Sequence, residues 1–295
     1  MKKMLFVYNP HAGKGQITGY LSDIIDTFTK GGYLVTARPT QAAGDGLNII
    51  KEIGMEFDLV ACSGGDGTLC ETVGGIMTLP REKRPPIGYI PAGSTNDFAS
   101  TLGISKDMTE AAEMIVHGIP FRCDIGAFNE KYFTYVAAFG AFTSVSYGTS
   151  QQVKNVLGHT AYLLEGAKQV GNIKPYHIRL EVGDRIIEDD FIFGMVSNAT
   201  QVGGIKPLSE LAISLNDGMF EVFLVRAPKS ITDIPDMLSE AIRLDMNAKS
   251  FMNFKCSRIT FSCDTPIPWT IDGEFGGDCT RVEIENCNNA VGIIV

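Results

Sequence analysis

Three short segments combine glycine with residues able to meet a phosphate: NPHAGKG (9–15), SGGDGT (63–68) and PAGSTND (91–97). In SGGDGT, Gly64, Gly65 and Gly67 permit positive φ and leave room for another group against the backbone. The N–H groups of such a turn face an anion when a helix follows. Asp66 stands between these glycines. In NPHAGKG, Gly13 and Gly15 shape a turn from which Lys14 can reach a phosphate, and PAGSTND places Asn96 and Asp97 before a helical run. Each segment also has a plainer reading. GGDG alone is a tight turn with a capping aspartate, and Asn96 or Asp97 alone is a helix cap. Neither standard nucleotide motif is present, because NPHAGKG lacks the spacing G-x-x-x-x-G-K-[ST] and its glycines do not fit G-x-G-x-x-G.

The elements around these segments decide whether they act together. MLFVY (4–8) is an apolar run ended by NPHAGKG; ITGYLSDIIDTFTKGG then carries Ile17, Leu21, Ile24, Ile25 and Phe28 at helical spacing and stops at Gly31 and Gly32. The alternation repeats through YLVTARPT and a helix to about Ile53, FDLVAC and a helix through LCETVGGIM, and PPIGYIPAG followed by FASTLGI and TEAAEMIVHG. This order predicts right-handed βαβ units and a parallel sheet covered on both faces. Ligands bind beyond the carboxyl ends of such strands. All three glycine segments fall there, along one rim.

Beyond Asp124 the rhythm changes. KYFTYVAAFGAF, YHIRLEVG, RIIEDDFIFGMVSNAT, GMFEVFLVR, FKCSRITFSC and PIPWTIDGEF read as strands, with turns such as VGD and NDG between them. Helical insertions interrupt them around VKNVLGHTAYLLEGAKQV and ITDIPDMLSEAIRL. The expected class is α/β plus β: a parallel-sheet nucleotide-binding domain over 1–123 and a mainly antiparallel β-sandwich over 124–284, with the boundary near 122–125. The terminal AVGIIV suits a buried strand that either closes the β domain or, as part of 285–295, completes the first sheet.

Composition narrows the partners. With 295 residues, 44% hydrophobic and 20% charged, the chain has material for two ordinary globular cores. A net charge of −9 argues against general nucleic-acid binding and requires a cation wherever polyphosphate is handled. The seven cysteines are odd in number and scattered without a C-x-x-C pair, as expected of reduced thiols in a cytosolic protein. The apolar run in MKKMLFVYNP is too short for a signal peptide, and no segment reaches the length of a spanning helix. His11, His117, His159 and His177 show no metal spacing.

NPHAGKG, SGGDGTLCE and PAGSTNDFA, in this order, resemble the lipid kinase family with a diacylglycerol kinase catalytic domain, which includes bacterial diacylglycerol kinases and the sphingosine and ceramide kinases. The resemblance continues through CDIG (123–126), KYFTYVAAFG (131–140), SNATQVGG (197–204), SLNDGMFEV (214–222) and IDGE (271–274). NAD kinases and phosphofructokinases are similar more distantly, through GGDGT. The resemblance implies a nucleotide-binding domain and a β-sandwich, with ATP and lipid meeting in the cleft between them.

The same resemblance implies that ATP lies against Asn9, Gly13, Lys14, Thr40, Gly65, Asp66, Gly67, Thr68, Glu71, Gly93, Ser94 and Asn96, with Ser94 standing where the family has threonine. It implies Glu274 as general base for a lipid hydroxyl, aided by Asp124 and Asp97. Asp66, Asp97 and Asp124 beside ATP would repel it, so a catalytic Mg²⁺ is expected between them. A second, structural Mg²⁺ is implied at Asp217 with the main-chain carbonyls of Ser214 and Met219, where Asn216 replaces an aspartate of many relatives.

The activity implied is ATP-dependent phosphorylation of a lipid, foremost diacylglycerol to phosphatidic acid in phospholipid biosynthesis, by a cytoplasmic protein peripheral at the inner face of the membrane. Phosphatidylglycerol or a sphingoid base are other acceptors. NAD is disfavoured because no GSTAY-type segment follows GGDGT. A regulator that binds ATP without transfer is disfavoured by the intact DGE, and pairing of two copies stays open. Lys154, Lys168 and Lys174 are candidates for a membrane-facing basic patch, though exposed lysines more commonly mark a solvated helix face.

Overall fold

Strand β1 (Lys2–Tyr8) buries Met4 to Val7 completely, and β2 (Tyr33–Pro39) and β3 (Leu59–Gly64) flank it in parallel. β4 (Ile87–Pro91) pairs with β3, also in parallel, giving the order β2-β1-β3-β4. The structure, a computed structural model, describes residues 1–93, 96–140, 174–199, 214–243 and 248–295. The helical insertion expected around VKNVLGHTAYLLEGAKQV lies outside them.

Helices α1 (Ile17–Lys30), α2 (Asp45–Ile53) and α3 (Asp66–Met77) make the crossovers, and α4 (Asp97–Leu102) and α5 (Met108–His117) follow β4. α1 buries Ile17, Ile24 and Phe28 along one stripe, and the Phe28 ring meets Phe6 edge-on at 5.5 Å. Strands β3 and β4 are buried along their whole length, which is why they read as continuous apolar runs. The order places β2 on one side of β1 and β3 on the other. The winding therefore reverses between β1 and β3, and their C-terminal ends open a crevice at this switch point.

The remainder is β-rich and mainly antiparallel, as the strand pattern predicts: β5 (Pro120–Phe128), β6 (Lys131–Phe133), β7 (Val136–Gly140), β8 (Tyr176–Val182), β9 (Arg185–Ser197), β10 (Phe220–Arg226), β11 (Phe251–Cys256), β12 (Arg258–Ile271) and β13 (Glu274–Ile294). Helix α6 (Ile234–Ile242) separates β10 from β11. Pairings run from β12 to β7, from β7 to β9, from β9 to β8 and from β8 back to β12. Trp269 packs at this closure against Phe128, Phe139 and Phe261, with ring centroids 5.3, 4.8 and 5.1 Å away.

Strand β13 joins the two sheets. Its first part pairs with β12, its last part pairs with β5, and Ile293 pairs with Ile87 of β4. The strand as a whole thus serves both sheets, its terminal apolar run lying between β4 and the start of β5, because bulges between Ser262 and Ile267 in β12 and between Cys287 and Val291 in β13 let the long strands turn from one to the other.

Candidate active site

The first glycine turn folds back over the switch point. Asn9 N donates to Ser63 O at 2.9 Å, stitching the ends of β1 and β3, and Asn9 Oδ1 accepts from His11 N at 2.9 Å. The 3₁₀ turn Ala12–Gly15 follows, with Gly13 at φ +55° and Gly15 at φ +75°. A Cβ on Gly13 would collide with the Ala92 carbonyl, so this turn rests on the PAG turn. Lys14 lies on it; its side chain is outside the described residues. Thr40, buried just past β2, donates its N–H to Tyr8 O at 2.9 Å.

The second and third turns touch through their backbones. A Cβ on Gly93 would stand 2.5 Å from Gly65 Cα, and Ala92 N donates to Gly64 O at 2.7 Å. Asn96, at φ +54°, ties the third turn: its Oδ1 accepts from Gly93 N at 3.0 Å and its Nδ2 donates to Gly93 O at 2.8 Å. Ser94 lies outside the described residues. Thr68 packs on Gly64 at the start of α3, where a Cβ on Gly64 would overlap its side chain.

Two carboxylates open the helices of this rim, Asp66 on α3 and Asp97 on α4. Asp66 Oδ2 accepts from Asn96 N at 3.0 Å, while its Oδ1 is buried and meets no donor among the described residues. Burial, then the charges of Asp97 and Asp272, push the Asp66 carboxyl up to about 6. An unpaired carboxylate oxygen at such a site fits a hard cation. Among the described residues no three His, Cys, Asp or Glu side chains form a preformed cage. Mg²⁺ seldom has one; it is held by one or two carboxylates together with substrate phosphates and water.

Glu274 reaches the rim from the other domain. Asp272 (φ +49°) and Gly273 (φ +85°) form the two-residue turn between β12 and β13, in the left-handed geometry of a type I′ hairpin. Asp272 is buried and accepts from Thr134 N at 2.6 Å, Thr134 Oγ1 at 2.8 Å, Tyr135 N at 3.0 Å and Val136 N at 3.0 Å. Burial nevertheless holds its carboxyl above the ordinary value, with these donors opposing the shift. The turn so anchored presents Glu274, exposed, with Oε1 3.7 Å from the position of a Cβ on Gly67. Tyr135 lies beneath; burial and the Asp272 charge hold its phenol well above 10, so it stays protonated.

Three expected positions are engaged elsewhere. Asp124 is fully buried, its Oδ2 accepting from Gly218 N at 2.6 Å and its Oδ1 from Asn289 N at 2.7 Å and Asn288 Nδ2 at 3.0 Å. It binds the 216–218 turn to β13, and the charges that act on Asp66 are those of Asp97 and Asp272. Glu71 accepts from Gly44 N at 2.7 Å and Gly46 N at 3.0 Å, supplying from a distance the cap that Gly44 cannot give α2. Asp217 accepts from Met219 N at 3.0 Å, and its other oxygen lies 3.3 Å from Lys255 Nζ. Ser214 Oγ donates to Asn216 Oδ1 at 2.9 Å. The Lys255 ammonium thus lies beside the acid for which the resemblance implies a structural divalent ion.

Asp272 and Tyr135 were not singled out from the sequence. Asp-Gly is so strong a hairpin signal that it hides a second role for the aspartate. The available cue was an acid directly after the apolar WTI.

Residues 3–128 match the family model described as the diacylglycerol kinase catalytic domain. The chain is 31% identical over 280 residues to the diacylglycerol kinase of Bacillus subtilis (strain 168), covering 94% of this chain and 91% of that protein. It is similarly 31% identical over 278 residues to the diacylglycerol kinase of Staphylococcus aureus (strain MRSA252), covering 94% and 87%. A crystal structure of a diacylglycerol kinase from Bacillus anthracis str. Sterne superposes with a TM-score of 0.79 at 25% identity, covering 99% of this chain and 96% of that one.

Proposed function

The chain belongs to the diacylglycerol kinase family, and from that premise we propose that it transfers the γ-phosphate of ATP to the free hydroxyl of diacylglycerol, yielding phosphatidic acid and ADP. The observation that carries this reading is the approach of Glu274 to Gly67, which sets an exposed carboxylate against a glycine turn suited to phosphate.

In this reading the backbone N–H groups of 13–15 and 65–68 receive the phosphates. Lys14, Asn9, Thr40 and Asn96 shape the nucleotide side of the rim. Glu274 accepts the hydroxyl proton as the acceptor oxygen bonds to the γ-phosphorus, and the bond from phosphorus to the bridging oxygen breaks with its electron pair leaving on ADP. Asp66 and Asp97 would hold magnesium, whose chemistry is to neutralise charge on the phosphate oxygens. Asp272 fixes the angle at which Glu274 enters.

The lipid must be met at a membrane surface. No helix among the described residues is long and apolar enough to cross a membrane. Phe275, 57% exposed and adjacent to Glu274, offers an aromatic contact where the acyl chains would lie. The −9 charge opposes approach to anionic lipid, so apolar contact leads and basic residues such as exposed Lys174 assist; Lys154 and Lys168 lie outside the described residues. The protein then works in the cytoplasm, peripheral at the inner face of the membrane.

The test is purified protein with labelled ATP, Mg²⁺ and separate acceptors: diacylglycerol, phosphatidylglycerol, sphingosine and NAD. Label in phosphatidic acid is the expected result. Label in another acceptor alone overturns the substrate, and no label in any acceptor overturns transfer.

A further inference from the structure

The turn from Ser214 to Met219 runs directly into β10, where Glu221 faces Lys255 across the antiparallel pair with β11. The Glu221 side chain is 5% exposed, and Lys255 Nζ lies 2.8 Å from its Oε1 while also reaching Asp217. Apart from this ion pair, neither Glu221 oxygen meets a donor among the described residues. A carboxylate so buried needs a compensating charge, and Lys255 supplies it.

The polar side chains of the turn are already engaged, as is Gly218 N. Asp217 Oδ1 is held by Met219 N, Ser214 Oγ donates to Asn216, and Gly218 N donates to Asp124. Asn216 is neutral, so the turn brings one carboxylate of its own, Asp217. A hard divalent ion wants six or more oxygen ligands. Here it would also have to displace an ammonium already paired with both carboxylates.

We propose that Lys255 is the resident cation of this turn, its ammonium bridging Asp217 and Glu221 so that the β-rich domain needs no structural divalent ion. Any magnesium requirement then belongs to the phosphoryl transfer alone. The proposal concerns the stability of the fold and stands apart from the choice of lipid substrate.

Thermal unfolding of the nucleotide-free protein in EDTA and in Mg²⁺ tests it. No magnesium-dependent shift that Asp217→Asn abolishes is expected in the parent protein. Lys255→Met lowers the midpoint in EDTA by about 5 °C, and Mg²⁺ recovers part of the loss by entering the vacated carboxylate pair. If Lys255→Met does not fold, Lys255→Met/Glu221→Gln carries the test, because removing both charges restores folding in EDTA. The assignment is overturned by a parent midpoint that falls in EDTA and returns with Mg²⁺ only when Asp217 is present. It is overturned equally by a Lys255→Met midpoint equal to the parent's, or by a double variant no better than the single one.

Discussion

Glu274 Oε1 lies 3.7 Å from where a Cβ on Gly67 would stand, although the two residues are more than two hundred positions apart. Gly67 belongs to the helix start after β3 and Glu274 to the first position of β13. The approach places an exposed carboxylate beside the glycine turn that opens α3. The proposed transfer needs a proton acceptor and the phosphate in one place.

Glu274→Gln keeps the volume and removes the proposed base. It is expected to lower kcat by about 10²–10⁴-fold while leaving ATP affinity nearly unchanged. Steady-state kinetics with calorimetric ATP binding checks this, and near-parent turnover would remove Glu274 from the role.

Asp66→Asn relieves a buried carboxylate, one oxygen of which meets no donor among the described residues, flanked by the charges of Asp97 and Asp272. The metal-free, nucleotide-free variant should gain about 1–2 kcal/mol at pH 7 and lose turnover. Urea unfolding reads the gain. A variant less stable than its parent would mean that the site is not electrostatically strained.

Asp272→Asn turns an amide NH₂ toward backbone donors from 134–136. The expected cost is about 2 kcal/mol of stability, with kcat falling and the KM for ATP little changed, as suits a residue that positions Glu274. A kcat equal to the parent's would show the hairpin does not need this anchor.

Gly93→Ala pushes the second and third turns apart, since the new methyl would stand 2.5 Å from Gly65 Cα and 2.8 Å from Asn96 Oδ1. The KM for ATP should rise about tenfold or more, given how steeply misplacement costs rate and binding. Unchanged ATP kinetics would argue that the two turns do not share the nucleotide.

His177 has Asp190 Oδ1 2.8 Å from Nδ1 and Glu188 Oε1 3.0 Å from Nε2, so both ring nitrogens donate and the imidazolium is favoured. Its pKa is raised above 6.5, through Glu188 first and Asp190 next. A raised folded value means the stabilisation is fully present below the unfolded pKa and is lost as pH rises through the folded one. The midpoint difference between the parent and His177→Gln is therefore largest below about pH 6 and closes at alkaline pH. A difference that grows with pH would contradict the arrangement.

The rim was legible because its signals are local. MLFVY, FDLVAC and PPIGYIPAG each precede a glycine turn and a helical run, and the resulting strands pair in parallel with the turns on one edge. Asp124 was not legible in the same way. CDIG and IDGE each present an aspartate within two residues of a glycine, and nothing near either residue in the chain says which backbone donors take its carboxylate. Asp124 is consumed by Gly218 and Asn289, the latter 165 positions away, and Asp272 by Thr134 and its neighbours, 138 positions away.

The sequence by itself determined the alternation of strand and helix, the three phosphate-compatible turns and the Asp-Gly hairpin before Glu274, because periodicity and turn chemistry act over a few residues. Only the tertiary structure decided which acids stay available. Pairing of Glu221 with Lys255 across β10 and β11, and the reach of β13 from Glu274 to the edge of β4, depend on strand register. Register is set by burial on both faces of a sheet, and a buried carboxylate takes whichever donors that register brings within 3 Å or so.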